Sequence, residues 1–146
     1  MKCLVIYDSL QGNTKLIAES VAQGISKDTK ALQASEATTK ELKGIDLLVI
    51  GSPTLGGRPT DAVRIFIKSI ADQAPGMSVA TFDTRIKVKF AKMFGYAAER
   101  MAVQFRGYGA KVIAPPEGFI VLGRSGPLAE GEIKRARDWA SHLLHK

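Results

Sequence analysis

Apolar runs of strand length alternate with amphipathic stretches along the whole chain, the pattern of a parallel α/β domain. The first strand is predicted at about residues 2–7, where Cys3 to Tyr7 are all apolar. A helix at about 13–26 follows, its stripe formed by Ile17, Ala18, Val21, Ala22 and Ile25. Residues at about 29–34 make a weak, poorly apolar strand suited to a sheet edge. The third strand, about 45–51, is fully apolar after Asp46 and is expected at the sheet centre. Ser52 to Pro59 reads as a loop, and a helix with the stripe Ala62, Val63, Phe66, Ile67 and Ile70 begins near Thr60. Strand four is predicted at about 77–82, with a loop at about 83–95 after it. The next helix has the face Ala97, Ala98, Met101, Ala102 and Phe105 and ends at Gly107 or Gly109. Strand five is expected in two pieces, Lys111–Ile113 and Phe119–Leu122, interrupted by Pro115-Pro116. A last helix at about 129–145 would bury Ile133, Ala136, Ala140, Leu143 and Leu144, with Glu130 and Glu132 at its start and His142 and His145 at its end. Trp139 on that helix is most simply a packing anchor.

Composition narrows the class. At 146 residues the chain is read as one domain, residues 1–146, with room for a substantial core. A hydrophobic content of 45% and a mean hydropathy of +0.01 fit a globular fold, and the longest apolar runs, such as Leu47–Ile50, are far too short to span a bilayer. The first strand begins at once, so no signal peptide is expected, and the single cysteine, Cys3, excludes an intrachain disulfide. Both point to a cytoplasmic protein. The net charge is +7, from 21 Lys plus Arg against 14 Asp plus Glu. These basic residues are dispersed (Lys40 and Lys43, Lys87 to Lys92, Arg100 and Arg106, Lys134 to Arg137) and accompany no RNA-binding motif, so no nucleic-acid partner is expected.

The candidate chemistry lies after the first strand. The loop Asp8-Ser9-Leu10-Gln11-Gly12 leads into a helix at Asn13-Thr14, and a strand that delivers a loop onto a helix N-terminus is an anion site built from unpaired amides and the positive dipole end. No Lys or Arg occurs between residues 3 and 14, so a phosphate here would be held by amides and hydroxyls. The pattern Tyr7-x-Ser9-x-x-Gly12-x-Thr14-x-x-x-Ala18-x-x-Val21 resembles the phosphate-loop signature of the flavodoxin family, and the likeness extends through element order and length to nearly the whole chain.

That resemblance implies a three-layer, doubly wound, five-stranded parallel sheet of order 2-1-3-4-5, FMN as cofactor, and one-electron transfer through a stabilised semiquinone. Five strands with interleaved helices permit that order, which places ligands at the carboxyl edge beside strands one and three. The FMN phosphate would be bound by the hydroxyls of Ser9 and Thr14 and the backbone of Gln11, Gly12 and Asn13, with Leu10 in the same loop. Pro53, Thr54, Leu55, Gly56 and Gly57 would face the flavin ring, Gly56-Gly57 supplying a peptide able to reorient on reduction. In that family backbone groups after strand four meet the pyrimidine edge; Asp83 and Thr84 match that position, and Arg85 follows them in the same segment. The usual aromatic sandwich is missing from loop 52–58, which offers only Leu55; Phe90, Phe94 and Tyr96 are the candidates for the other face. Arg58 and Arg85 are expected at the ring's edge, where positive charge makes the fully reduced flavin easier to form. Because carriers of this family are typically acidic, the basic balance implies redox partner proteins with acidic docking surfaces.

Other readings are weaker. Asp8 invites comparison with receiver domains, but Ser52 stands where their third strand carries an acid. Gly51 and Gly56 have the Walker spacing but are followed by Gly57-Arg58 where that loop needs Lys, and Arg106-Gly107-Tyr108-Gly109 precedes a strand instead of following one. His142 and His145 have no metal-ligand company. The alternatives that stay open are an enzyme resembling FMN-dependent quinone or protoporphyrinogen oxidoreductases, its pocket built by the loop after strand four, and a flavin-free binding module on the same fold.

Overall fold

The computed structural model describes residues 1–87 and 95–144. Phe90 and Phe94, two of the three aromatic candidates for the ring site, lie outside the described residues, as do Lys89, Lys92 and His145. The elements run β1 (Cys3–Tyr7), α1 (Asn13–Ile25), β2 (Lys30–Gln33), a 3-10 turn (Thr39–Leu42), β3 (Leu47–Pro53), α2 (Asp61–Ser69), β4 (Ser78–Ile86), α3 (Ala97–Gly107), β5 (Lys111–Val112), β6 (Glu117–Val121) and α4 (Glu132–Leu143).

The strand order is β2-β1-β3-β4, with β5 and β6 sharing the far side of β4, and every pairing is parallel. β5 pairs with the start of β4 and β6 with its end, Phe82 opposite Glu117 through Ile86 opposite Val121. Pro115-Pro116 lies between the two pieces, as a residue that donates no backbone hydrogen bond must. The doubly wound order 2-1-3-4-5 is therefore the observed one.

Each face of the sheet has its own core because side chains alternate along a strand. Val5, Val49, Phe82 and Phe119 pack under α1 and α4, against Ile17, Val21, Ala136 and Leu143. Ile6, Leu48, Ile50 and Val79 pack under α2 and α3, against Val63, Phe66, Met101 and Phe105. Trp139 does anchor α4: it meets Phe82 and Phe119 edge-on at 6.1 and 6.0 Å between ring centres. Cys3 sits in this packing, where burial pushes its thiol up and away from nucleophilic use. No helix among the described residues is long and apolar enough to cross a membrane.

Of the boundaries that differ from the sequence expectation, two bear on the site and on stability. β4 continues through Asp83-Thr84-Arg85 to Ile86 instead of ending at residue 82, because its polar side chains are buried with partners and not solvated. α4 starts at Glu132, and this residue is a structural anchor as well as a helix-start acid. Its carboxylate is buried, accepts the Ile120 amide at 2.7 Å, and holds Arg135 at 2.8 and 2.7 Å; Arg135 also reaches Glu117 at 2.8 Å and lies over the Phe119 ring. The Arg135 hydrogen bonds hold Glu132 below the usual carboxylate range, helped by the Ile120 amide. A carboxyl lowered on folding stabilises fully above its unfolded value, near 4.3, and that contribution disappears as pH falls through the folded value. Glu132→Gln is thus expected to cost about 1–2 kcal/mol at neutral pH. Paired urea titrations should find this gap narrowing below about pH 4.3; a gap independent of pH would contradict the role.

Candidate functional site

The carboxyl ends of β1, β3 and β4 converge on a cleft of about 460 Å³. One end is formed by Leu10, Gln11, Asn13 and Thr14 at the start of α1, and one wall by Pro53, Thr54, Leu55 and Gly56 after β3. Thr84, Ile86, Val121 and Arg124 close the remaining side. A second groove of about 760 Å³ lies at the opposite edge, lined by Lys2, Thr29, Lys30, Lys40 and Asp46 among others.

The phosphate-like end is pre-shaped by its own loop. Gly12 has φ +91°, a left-handed conformation that glycine adopts without penalty, and a Cβ there would meet nothing within 4 Å. Conformation and not crowding therefore demands this glycine. Ser9 is turned inward: its amide donates to Asp8 Oδ1 at 2.9 Å, and its Oγ accepts the amides of Gly12 and Lys15 at 3.1 and 3.2 Å. Ser9 and Gly12 thus brace the loop, whereas Gln11, Asn13 and Thr14 face the cleft. Thr14 is buried and shares a 2.8 Å hydrogen bond with Thr84.

The wall after β3 is a tight turn. Leu55 and Arg58 exchange both backbone hydrogen bonds, at 2.8 and 3.0 Å, around Gly56 and Gly57 with φ +55° and +82°. Two consecutive positive φ values are the mark of a type I′ turn, so both glycines are required in this conformation. Gly56 lines the cleft; Gly57 is buried behind it.

The strand period sorts the last group. Thr84 and Ile86 point to the cleft, whereas Asp83 and Arg85 point to the other face, under α3. Asp83 is fully buried; it accepts Arg85 Nε and Nη2 at 2.7 and 2.8 Å and the Ala98 amide at 2.9 Å. Burial pushes its carboxyl up, with the Arg85 hydrogen bonds and the Ala98 amide working against that rise. Arg85 also pairs with Glu99 at 3.3 Å and stacks on the Tyr96 ring at 3.5 Å. The side chains of Asp83 and Arg85 thus serve the packing under α3, leaving only their backbone to face a ligand, and Tyr96, capped by Arg85, is not among the residues lining the cleft. Arg58 too lies outside the cleft, in a small depression with Pro59, Arg64, Arg100 and Gln104.

Three lining residues had escaped the sequence reading. Ile86 and Val121 are register partners at the ends of β4 and β6 and give the cleft apolar cover in place of aromatics. Ile86 was hidden by the early strand end; Val121 was visible only as part of an apolar run. Arg124, in a loop of small and polar residues, carried no signal.

The flavodoxin domain family model matches residues 4–106. The chain belongs to the flavodoxin domain family. A flavodoxin from Clostridium beijerinckii is 27% identical over 121 residues, covering 77% of this chain and 81% of that protein. A flavodoxin from Aquifex aeolicus is 33% identical over 99 residues, covering 65% of this chain and 51% of the relative. Among solved structures, a flavodoxin from the domain Archaea superposes with a TM-score of 0.83 at 22% identity, over 99% of this chain and 97% of its own. Flavodoxin 2 from Bacillus cereus gives 0.78 at 18% identity, with 99% of both chains covered. Flavodoxins bind FMN and pass electrons to redox partners. The cleft's chemistry fits that cofactor: amides and hydroxyls at a helix N-terminus for a phosphate, and a slot walled by Leu55, Ile86 and Val121 for a flat ring.

Proposed function

We propose that this flavodoxin-family chain carries electrons singly, holding FMN in the cleft between α1 and the Leu55–Arg58 turn and passing through a stabilised neutral semiquinone. One observation carries the reading: the Gly56-Gly57 turn borders the same cleft as the α1 N-terminus. The phosphate end would be held by Gln11, Asn13 and Thr14, with Ser9 and Gly12 shaping the loop that presents their amides. Leu10, Pro53, Thr54, Leu55 and Gly56 would enclose the ring, and Thr84 would orient Thr14. Glycine at 56 and 57 permits a peptide reorientation, since neither φ sign is barred to it. FMN supplies the redox chemistry; the chain binds it, excludes water from part of it and leaves an edge open.

The finer partner reading is an acidic docking surface. Arg58, Arg64, Arg100 and Gln104 border the depression next to the turn, and the net charge of +7 favours such a partner at long range. The expectation that Arg58 and Arg85 together ease flavin reduction loses Arg85, whose charge is matched by Asp83 and Glu99.

Titration of the purified chain with FMN, followed by photoreduction in the visible range, tests the reading. The expected result is saturation at one FMN per chain and a blue neutral radical as reduction proceeds. Binding without the radical would favour the oxidoreductase-like enzyme, and absence of binding would favour the flavin-free module.

A further inference from the structure

Among the described residues lining the cleft, Arg124 alone carries a formal charge. Its guanidinium is exposed and joins none of the ion pairs found among the described residues. The segment that carries it is tied down on both sides. Leu122 donates to the Pro127 carbonyl at 2.9 Å, Gly126 donates to the Gly123 carbonyl at 3.0 Å, and Val121 bridges Leu128. Gly126 is seated directly on the Asn13 side chain, where a Cβ would come within 2.7 Å of Asn13 Oδ1. Arg124 therefore lines the cleft two residues from the point where its own segment rests on Asn13, the first residue of α1.

The residues that line the cleft at the start of α1, Leu10, Gln11, Asn13 and Thr14, are all neutral. Amides and hydroxyls fit the shape of a phosphate but carry no net charge, whereas a guanidinium meets two phosphate oxygens with two parallel donors. We propose that Arg124 is the counter-cation for the phosphate of the bound ligand, so that this chain distinguishes FMN from its dephosphorylated form, riboflavin, by charge as well as by shape. The inference rests on the FMN reading above and adds a residue from outside the phosphate loop to it. It also has an ionic-strength signature, because an exposed cation paired with an anion is screened by salt and a set of neutral donors is much less so.

The test uses the full chain freed of flavin, as wild type, Arg124→Gln and Arg124→Lys, titrated with FMN and separately with riboflavin at low and raised salt. Arg124→Gln is expected to weaken FMN about tenfold or more at low salt, to leave riboflavin within about twofold, and to flatten the salt dependence for FMN. Arg124→Lys is expected to recover part of the affinity and most of the salt dependence. Equal losses for both ligands, or unchanged FMN affinity, would overturn the inference and leave the cofactor reading standing. A wild-type chain that binds neither ligand would overturn both.

Discussion

Replacing Asp83 by Ala is expected to lower the unfolding free energy by about 3–5 kcal/mol, the range for removing one member of a buried ion pair. Asp83 is fully buried and accepts three hydrogen bonds, two from Arg85 and one from the Ala98 amide. Its loss would strand a guanidinium that is only 15% exposed and take the Asp83 acceptor from a buried amide in the first turn of α3. Glu99, half exposed at 3.3 Å, can offset only part of this. Two further variants separate charge from fit. Asp83→Asn keeps an acceptor and should cost less. The double change Asp83→Leu with Arg85→Met removes both charges, and should recover much of the loss. Urea unfolding of all three measures the differences, and a cost below about 1 kcal/mol for Asp83→Ala would sink the argument. FMN affinity should change little in each, because Asp83 and Arg85 face α3 and not the cleft.

The same pair explains what was and was not legible in the sequence. Strand positions followed from apolar runs, whereas the sheet order came from the family resemblance that those runs only permitted; the fully apolar Leu47–Ile50 is indeed flanked on both sides, by β1 and β4. The loop that opens α1 was legible because its small and hydroxyl residues have one shared physical reason to precede a helix. The end of β4 was not. Asp83-Thr84-Arg85 has the composition of a loop, and only tertiary partners make it strand: α3 for Asp83 and Arg85, α1 for Thr84. Once the strand is extended, its period of two assigns Thr84 and Ile86 to the cleft and removes their neighbours from it. Glu132 was legible as a helix-start acid, but not as the acceptor of the Ile120 amide, since no local pattern announces a contact across twelve residues. Arg124 depends on a turn geometry, with Gly126 resting on Asn13, that composition does not encode.

Thr14→Val is expected to weaken FMN binding by about 1.5–3 kcal/mol, or roughly 10- to 100-fold, the range for a hydrogen bond to a charged group. A threonine hydroxyl has one proton and two lone pairs. In the structure Thr14 and Thr84 share one hydrogen bond at 2.8 Å, and either oxygen can be its donor. With an anion at the helix N-terminus only one direction serves both groups: Thr84 donates to Thr14, and Thr14 donates onward. The pair then forms a relay with a defined sense. Valine at 14 keeps the shape, removes the donor to the anion and leaves the buried Thr84 hydroxyl without its partner, so the flavin-free chain should also lose about 1 kcal/mol of stability. Valine at 84 leaves Thr14 free to donate, and should cost FMN binding only a few-fold through poorer orientation. Thr14→Ser should retain most of the affinity, and riboflavin, which carries no phosphate, should bind Thr14→Val and wild type alike. Fluorescence titrations at fixed ionic strength distinguish these outcomes. Equal FMN losses for the two valine variants, matched by equal riboflavin losses, would mean that the hydroxyl pair supports the fold of the cleft and does not contact the anion.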